Sequence, residues 1–188
     1  MKRLNSAKKV ARHLAGICAM VGLVACGEAT SENSDALKEV NAAIDGGMRG
    51  GMMLLPGGGL KTETALLRFR RASLDDGKLI ADAEVCTVPE DQTSQIGDCL
   101  SNGDWKPIVF SAALSDLDPA TAKISESTFL AGGVYLKPHS LLVRCREGLG
   151  ECAEDTVYGP LALLSITCRD KAACEAALPA FKKVLGAP

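Results

Sequence analysis

The spacing of hydrophobic residues changes along the chain from helical to alternating. Apolar residues recur at helical intervals between Asp35, a suitable N-cap, and Gly46, a suitable stop, so a helix is predicted over residues 35–45. Its three turns and narrow apolar stripe mean that it must dock on the rest of the protein or remain mobile. From Thr64 onward the alternation has a period of two, which is typical of strands with one face in water.

Six stretches have the composition of strands. The turn Asp75-Asp76-Gly77 joins the first two into a hairpin, and Leu66 lies on the side of the first strand that is expected in water. The last two predict a second hairpin, whose final strand is expected to be central because apolar residues fill both of its faces. The stretches are residues 64–70, 79–85, 105–114, 124–130, 134–145 and 161–168.

A closing helix is predicted after the N-cap Asp170, and Pro179 is expected to kink or split it. The strands come first and this helix last, without alternation. That order favours an α+β fold with a mainly antiparallel sheet of about five or six strands, an N-terminal helix and a C-terminal helix. A small β-sandwich is the alternative.

Residues 46–59 are half glycine but also contain three methionines and two leucines. One interpretation is an adaptable apolar surface for a partner or the membrane, because the flexible methionine side chain can pack against surfaces of many shapes. The favoured interpretation is a flexible link whose residues 52–55 lie under the domain. A phosphate-binding loop is excluded at Lys61-Thr62, because Leu60 stands where glycine is required.

The first 26 residues have the pattern of an export signal. Five basic residues are followed by about a dozen apolar ones, fewer than the roughly 20 that span a bilayer. Leu23-Val24-Ala25-Cys26 resembles the cleavage box of bacterial lipoproteins. The resemblance implies cleavage after Ala25 and lipid on Cys26, which anchors the chain in a membrane. An ordinary signal peptide is the alternative, with Cys26 left unmodified.

Gly27 also bears on the location. In Gram-negative lipoproteins an aspartate at this position signals retention in the inner membrane, so the resemblance implies the outer membrane, with the domain facing the periplasm. The predicted organisation is a signal peptide at 1–25, a tether at 26–34, a short helix and Gly/Met-rich linker at 35–63, and a disulfide-bonded α+β domain at 64–188.

Charge and cysteine content narrow the function classes. Residues 26–188 contain 16 basic and 23 acidic residues, a formal charge of −7, which argues against nucleic acid as a partner. Cys18 lies in the export signal, and the six cysteines that follow Cys26 predict three disulfides in an exported protein, although six cysteines allow 15 pairings. No Cys-x-x-Cys occurs, so no metal or other cofactor is predicted. The expected pairs join neighbours: Cys86–Cys99, Cys145–Cys152 and Cys168–Cys174.

His139 is the candidate general base, because it is the only histidine after residue 25. Ser140 beside it is a poor nucleophile, since adjacent strand residues point to opposite faces, and no Gly-x-Ser-x-Gly turn occurs. A partly exposed structural histidine is therefore the favoured interpretation.

Clusters of carboxylates are the next candidates, because glycosidases use two acids across a cleft. Asp116 and Asp118 begin like a calcium loop, but Thr121 and Ser127 stand where that loop needs glycine and glutamate. Solvated turns are the favoured interpretation of all the clusters, which are Asp75/Asp76, Glu90/Asp91, Asp116/Asp118 and Glu151/Glu154/Asp155.

Arginines form a candidate patch for an anion or a partner, although pairing with neighbouring acids is the favoured interpretation. Trp105 is expected to be a core or edge anchor rather than a ligand platform. The arginines are Arg68, Arg70 and Arg71, with Arg144 and Arg146.

The sequence favours a non-enzymatic envelope lipoprotein that binds another protein. The alternatives are a hydrolase of envelope polymers, using His139 or an acid pair, and a small-ligand binder with a cleft between the sheet and the closing helix. An enzyme should bring His139 and a carboxylate or serine together in a concave pocket, and that arrangement would lead us to abandon the first hypothesis. A ligand binder should have a closed apolar cavity, and an interaction module an exposed apolar patch or open sheet edge.

Overall fold

The computed structural model describes residues 31–54 and 62–186, so Cys26 and the rest of the predicted export signal lie outside the described residues. The architecture is α+β, as predicted. Two 14-residue helices and two antiparallel sheets enclose the main core. The helices are α1 (Ser31–Ile44), α2 (Asp98–Asn102) and α3 (Lys171–Val184). The strands are β1 (Met48–Leu54), β2 (Thr62–Asp75), β3 (Lys78–Pro89), β4 (Lys106–Ala113), β5 (Leu117–Glu126), β6 (Phe129–Ala131), β7 (Val134–Leu136), β8 (His139–Cys145), β9 (Ala153–Asp155), β10 (Gly159–Leu161) and β11 (Leu163–Thr167).

The strands form three sheets in which each recorded pairing is antiparallel. The largest has the order β1-β2-β3-β4-β9-β10, the second has the order β11-β8-β5, and the third consists of β6 and β7. The predicted β2–β3 hairpin is present. The predicted pairing of β8 with β11 is present too, but the two strands do not form a simple hairpin, because β9 and β10 of the large sheet lie between them in sequence. The expectation that the last strand is central is wrong, because β11 lies at the edge of its sheet. Its apolar residues are covered by packing against the larger sheet, to which it lies close, rather than by pairing on both sides.

Helix α1 docks on the domain instead of remaining mobile. Val40 and Ile44 are buried against β2 and α3, and the chain turns at Gly46 with φ +78°. The helix starts at Ser31, so Asp35 is not its N-cap but lies within it, where its carboxylate contacts Lys38 at 2.8 Å. Part of the predicted tether is therefore helical.

Helix α3 begins as predicted and is not split at Pro179. The Asp170 carboxylate accepts a hydrogen bond from the backbone N–H of Ala173 at 2.7 Å, which is N-cap geometry. The helix then continues through the exposed Pro179 to Val184. Buried residues on both sides of the proline, Ala177 and Phe181, hold the two halves against the same core.

The outer side of the large sheet carries a second, smaller apolar cluster. Leu66, expected in water, is fully buried there together with Phe129 and Ile96. The cover comes from the β6–β7 hairpin and from the loop that the Cys86–Cys99 disulfide closes. The expectation for Leu66 is wrong because these covering segments lie far from it in sequence.

The Gly/Met-rich segment contains a strand. Residues 48–54 form β1, which pairs with β2 from Met48 opposite Arg68 to Leu54 opposite Thr62. The segment is thus a sheet edge rather than a linker over these residues, and residues 55–59 lie outside the described part. Glycine at position 50 allows the ring of Phe129 to lie directly against the β1 backbone, since a β-carbon there would overlap the ring.

Three disulfides join the same pairs that the sequence predicted: Cys86–Cys99, Cys145–Cys152 and Cys168–Cys174. The first ties the end of β3 to α2, the second closes a surface loop after β8, and the third ties the segment after β11 to the first turn of α3. Short closed loops of this kind contribute roughly 2–3 kcal/mol each on the chain-entropy model.

Candidate functional site

The most exposed large apolar residue of the described chain lies on the β6–β7 hairpin. Leu130 is 71% exposed and stands directly opposite Tyr135, which is 55% exposed. These two side chains lie on the face of the hairpin that points away from the protein. We call this pair the hairpin surface.

The opposite face of the hairpin fixes it to the sheet. Phe129 and Val134 are buried in the second apolar cluster, and Phe129 contacts β1 at Gly50. The turn contains Gly132 at φ +52° and Gly133 at φ +79°, a conformation that glycine adopts without strain. The hairpin surface is therefore presented by an anchored element rather than by a free loop.

A concavity of about 330 Å³ adjoins the hairpin surface. Tyr135 belongs to both, and the ammonium of Lys137 lies 5.8 Å from the centre of its ring. The concavity also reaches the start of α3 and the beginning of β1. We call it the histidine pocket, and its walls include Met48, Tyr135, Leu136, Lys137, His139, Arg169 and Asp170.

His139 lines this pocket and contacts one carboxylate. Its Nε2 lies 3.1 Å from Oε2 of Glu126, the residue directly opposite it in the β5–β8 pairing. The side chain of Glu126 is 59% exposed. Ser140 is buried on the other face of β8, where its hydroxyl lies 3.0 Å from that of Thr167, as strand geometry predicts.

The criterion for an enzyme, a carboxylate or a serine together with His139 in one pocket, is met only in part, because Asp170 lines the pocket with His139 but no hydrogen bond or ion pair joins the two among the described residues. His139 lies in a concave pocket, but Ser140 is turned away from it. Asp170, the carboxylate in the pocket wall, is already engaged by the N–H of Ala173 and lies 3.7 Å from Nε of Arg169. The pair His139–Glu126 has the composition of a base with its orienting acid, but no nucleophile lies beside it in the described part of the chain.

Three of the predicted arginines lie on the outer side of β2. Arg68 and Arg70 both contact Oε2 of Glu84, through Nη2 at 2.6 and 2.8 Å. Arg71 instead contacts Asp82 at 2.6 Å. Pairing with neighbouring acids was therefore the correct interpretation for these three.

The Arg68–Arg70–Glu84 group is held on one side by Trp105. The guanidinium of Arg68 lies 4.3 Å from the centre of the indole ring, and the indole N–H donates to the carbonyl of Cys99 at 3.0 Å. Partial burial raises the pKa of Glu84, but the hydrogen bonds and charges of the two arginines together lower it more, so the net pKa lies below its usual value. We call these four residues the arginine cluster.

Arg144 and Arg146 belong to a different part of the molecule. Arg144 lies on β8 of the three-stranded sheet, and Arg146 follows that strand. The structure therefore divides the five arginines between two sheets instead of gathering them on one face.

The predicted carboxylate clusters are spread over the surface. Asp75 and Asp76 form the β2–β3 turn, Asp118 accepts from the N–H of Ala120 within β5, and Glu90 and Asp91 lie in a 3-10 turn. An open groove of about 420 Å³ beside Lys78 contains three of the remaining acids. The fourth, Asp155, is buried and accepts hydrogen bonds from the backbone N–H groups of Val157 and Tyr158, so the solvated-turn interpretation is wrong for it. Over residues 31–54 and 62–186, no three His, Cys, Asp or Glu side chains are arranged to hold a metal ion. The acids of the groove are Asp116, Glu151 and Glu154.

Two polar groups beside the main core are not predicted by any pattern in the sequence. Arg49 of β1 stacks 5.2 Å from the ring centre of Phe69 and donates to the carbonyl of Ser165 at 3.2 Å, which joins the sheets. Burial lowers the pKa of Arg49 to about 10, against the influence of Asp155. Burial raises the pKa of Tyr158 to about 12, with Glu63 and Asp155 adding to it, and its hydroxyl has no hydrogen-bond partner among the described residues.

Comparison with known proteins gives no relative. No family model matches the chain, and neither the curated proteins nor the solved structures contain a significant match. None of the helices in the described residues is long and apolar enough to cross a membrane.

Proposed function

We propose that this protein is a lipid-anchored component of the bacterial cell envelope that acts by binding another envelope protein. The observation that carries the proposal is the hairpin surface, an exposed apolar pair on an element that is itself firmly docked. Exposed apolar residues grouped on one element are characteristic of interaction sites.

Two further features support this function. Leu23-Val24-Ala25-Cys26 resembles the lipoprotein cleavage box, and three disulfides fit an oxidising compartment such as the periplasm. Strand β1 also ends the large sheet, so one of its edges has no strand partner among the described residues. An exposed apolar pair and an open sheet edge are the two marks expected of an interaction module.

The hairpin surface can be tested by site-specific crosslinking in the producing cells. A photo-activated residue in place of Leu130 should give one dominant protein adduct, and Tyr135→Ser should reduce its yield about tenfold, because one buried aromatic contact often contributes 1.4 kcal/mol or more. The matched control is Leu149, which is 48% exposed on the Cys145–Cys152 loop and should give no dominant adduct.

Equal crosslinking from Leu130 and Leu149 would contradict the proposal. Deleting the Gly/Met-rich segment, residues 46–59, would not be a clean test of partner binding, because it would remove β1 together with Arg49, which joins the two sheets. Point substitutions on the hairpin leave both in place.

A hydrolase is the second candidate, and the His139–Glu126 pair in the histidine pocket favours it. In that case the protein should release soluble fragments from purified envelope polymers, and His139→Gln should abolish the release. The interaction function instead expects no release from either form, with the crosslinked adduct unaffected by His139→Gln.

A further inference from the structure

The arginine cluster has an uneven hydrogen-bonding arrangement. Both Nε and Nη2 of Arg68 contact Oε2 of Glu84, at 2.9 and 2.6 Å, and the same two atoms of Arg70 contact that oxygen at 3.1 and 2.8 Å. Two guanidinium groups thus share a single carboxylate oxygen. A guanidinium normally engages the two oxygens of a carboxylate with two parallel N–H groups, so neither arginine has its full complement.

The cluster also carries excess charge. Two arginines against one glutamate leave one net positive charge, in a chain that is strongly acidic from Cys26 onward. Arg71 and Asp82 beside it cancel each other. The side chain of Arg70 is 43% exposed, so an incoming group can reach it from solvent.

The position of the first arginine is preset. Arg68 lies between Glu84 and the face of Trp105, whose ring is itself fixed by its bond to Cys99. A guanidinium that is already ordered loses little side-chain entropy when it binds a further group.

We infer that the arginine cluster is a carboxylate-recognition site that takes an acidic segment of the protein partner, with Glu84 as the internal carboxylate that occupies the site in its absence. This inference rests on the proposed protein-binding function and names the chemistry of the partner. The incoming carboxylate engages the fork of Arg70, and Glu84 keeps Arg68.

An acidic peptide suits this site better than an anionic bilayer. Charges farther apart than about 8–10 Å are screened at physiological salt, so a short peptide responds mainly to the local positive charge. A membrane surface would face a whole side of a domain whose net charge is negative.

The lone tryptophan of the chain gives a direct test. Because Trp105 contacts Arg68, its fluorescence should report binding when acetylated hexaglutamate is titrated into the full chain in neutral detergent. We expect a saturable change that weakens as salt is added. Arg70→Gln should raise the dissociation constant about tenfold, and Arg70→Lys should do nearly the same because it keeps the charge but loses the fork.

Arg71→Gln is the matched control. It removes the same charge one residue away, from a side chain that is paired with Asp82, and should change the dissociation constant less than twofold. Equal weakening by Arg70→Gln and Arg71→Gln would mean non-specific attraction and would overturn the inference. So would the absence of a saturable change in the millimolar range, or tighter binding of a linear polyphosphate of equal length.

Glu84→Gln separates competition by the internal carboxylate from a simple gain of positive charge. It should strengthen hexaglutamate binding about three- to tenfold, whereas Asp82→Asn, which removes the same charge from the neighbouring Arg71 pair, should strengthen it less than twofold. Equal gains from the two variants would mean that Glu84 does not compete for the site. Thermal unfolding of each variant checks that it is folded. A negative result in these titrations would not contradict the proposed protein-binding function, because the crosslinking test of the hairpin surface does not involve the arginine cluster.

Discussion

Replacing Phe129 with alanine removes the aromatic ring that docks the hairpin on the large sheet. The ring is buried against Leu66 and β1, and it contacts the sheet where Gly50 leaves room for it. A buried phenylalanine removes about 150–200 Å² from water, worth roughly 4–5 kcal/mol at 25 cal/mol per Å². The smaller alanine side chain still contributes part of this hydrophobic free energy, so the free energy of unfolding should fall by about 3–4 kcal/mol.

Urea unfolding followed by Trp105 fluorescence measures this loss, because Trp105 packs on the same apolar cluster. Leu130→Ala is the control: it alters the next residue of the same strand, which points to solvent, and should cost less than about 0.5 kcal/mol. A loss below about 1 kcal/mol for Phe129→Ala, or equal losses for the two variants, would refute the assignment of the two hairpin faces.

Three further outcomes follow from the structure. Asp170→Ala should lower the free energy of unfolding by about 1 kcal/mol in urea titrations through loss of the α3 cap, whereas the exposed Asp45→Ala should not. Gly50→Ala should cost about 1–3 kcal/mol in the same titrations because its methyl group meets an aromatic ring, while Gly51→Ala has open space and should cost no more than about 0.5 kcal/mol. The lowered pKa of Glu84 means that its ion pairs stabilise the fold at neutral pH and that this contribution is lost as pH falls through the folded-state pKa, below 4.5; thermal unfolding of Glu84→Gln should be less sensitive to pH in that range.

Local signals in the sequence predicted much of the fold. The turn at Asp75-Asp76-Gly77, the cap at Asp170 and the stop at Gly46 each depend on the conformation of a few adjacent residues, and all three are present. The inward faces of β3 and β4 follow from alternation alone. The α+β class follows from the order of these elements, and the cysteine pairs join neighbours in sequence.

The candidate site was much less predictable. The hairpin surface is not predicted, because the sequence suggests one continuous strand over residues 124–130 and another over residues 134–145. The structure instead divides the first region between β5 and β6 and the second between β7 and β8. The Gly132-Gly133 pair between β6 and β7 is a common hairpin turn and is the signal that could have revealed it. His139 and the arginines were identified as residues, but neither the pocket around the first nor the shared Glu84 of the second can be derived from spacing.

Residue type and local order were enough to predict the two long helices, about half of the strands, the β2–β3 turn and the acidic charge, because these depend on nearest neighbours along the chain. Only the tertiary structure decided that Gly50 lies in a paired strand, that Leu66 is covered and that β11 is an edge. In each case the stabilising contact comes from a segment distant in sequence. The hydrophobic pattern around the buried residue therefore does not predict the contact. The exposed pair Leu130–Tyr135 is defined in the same way, by what the rest of the fold leaves uncovered.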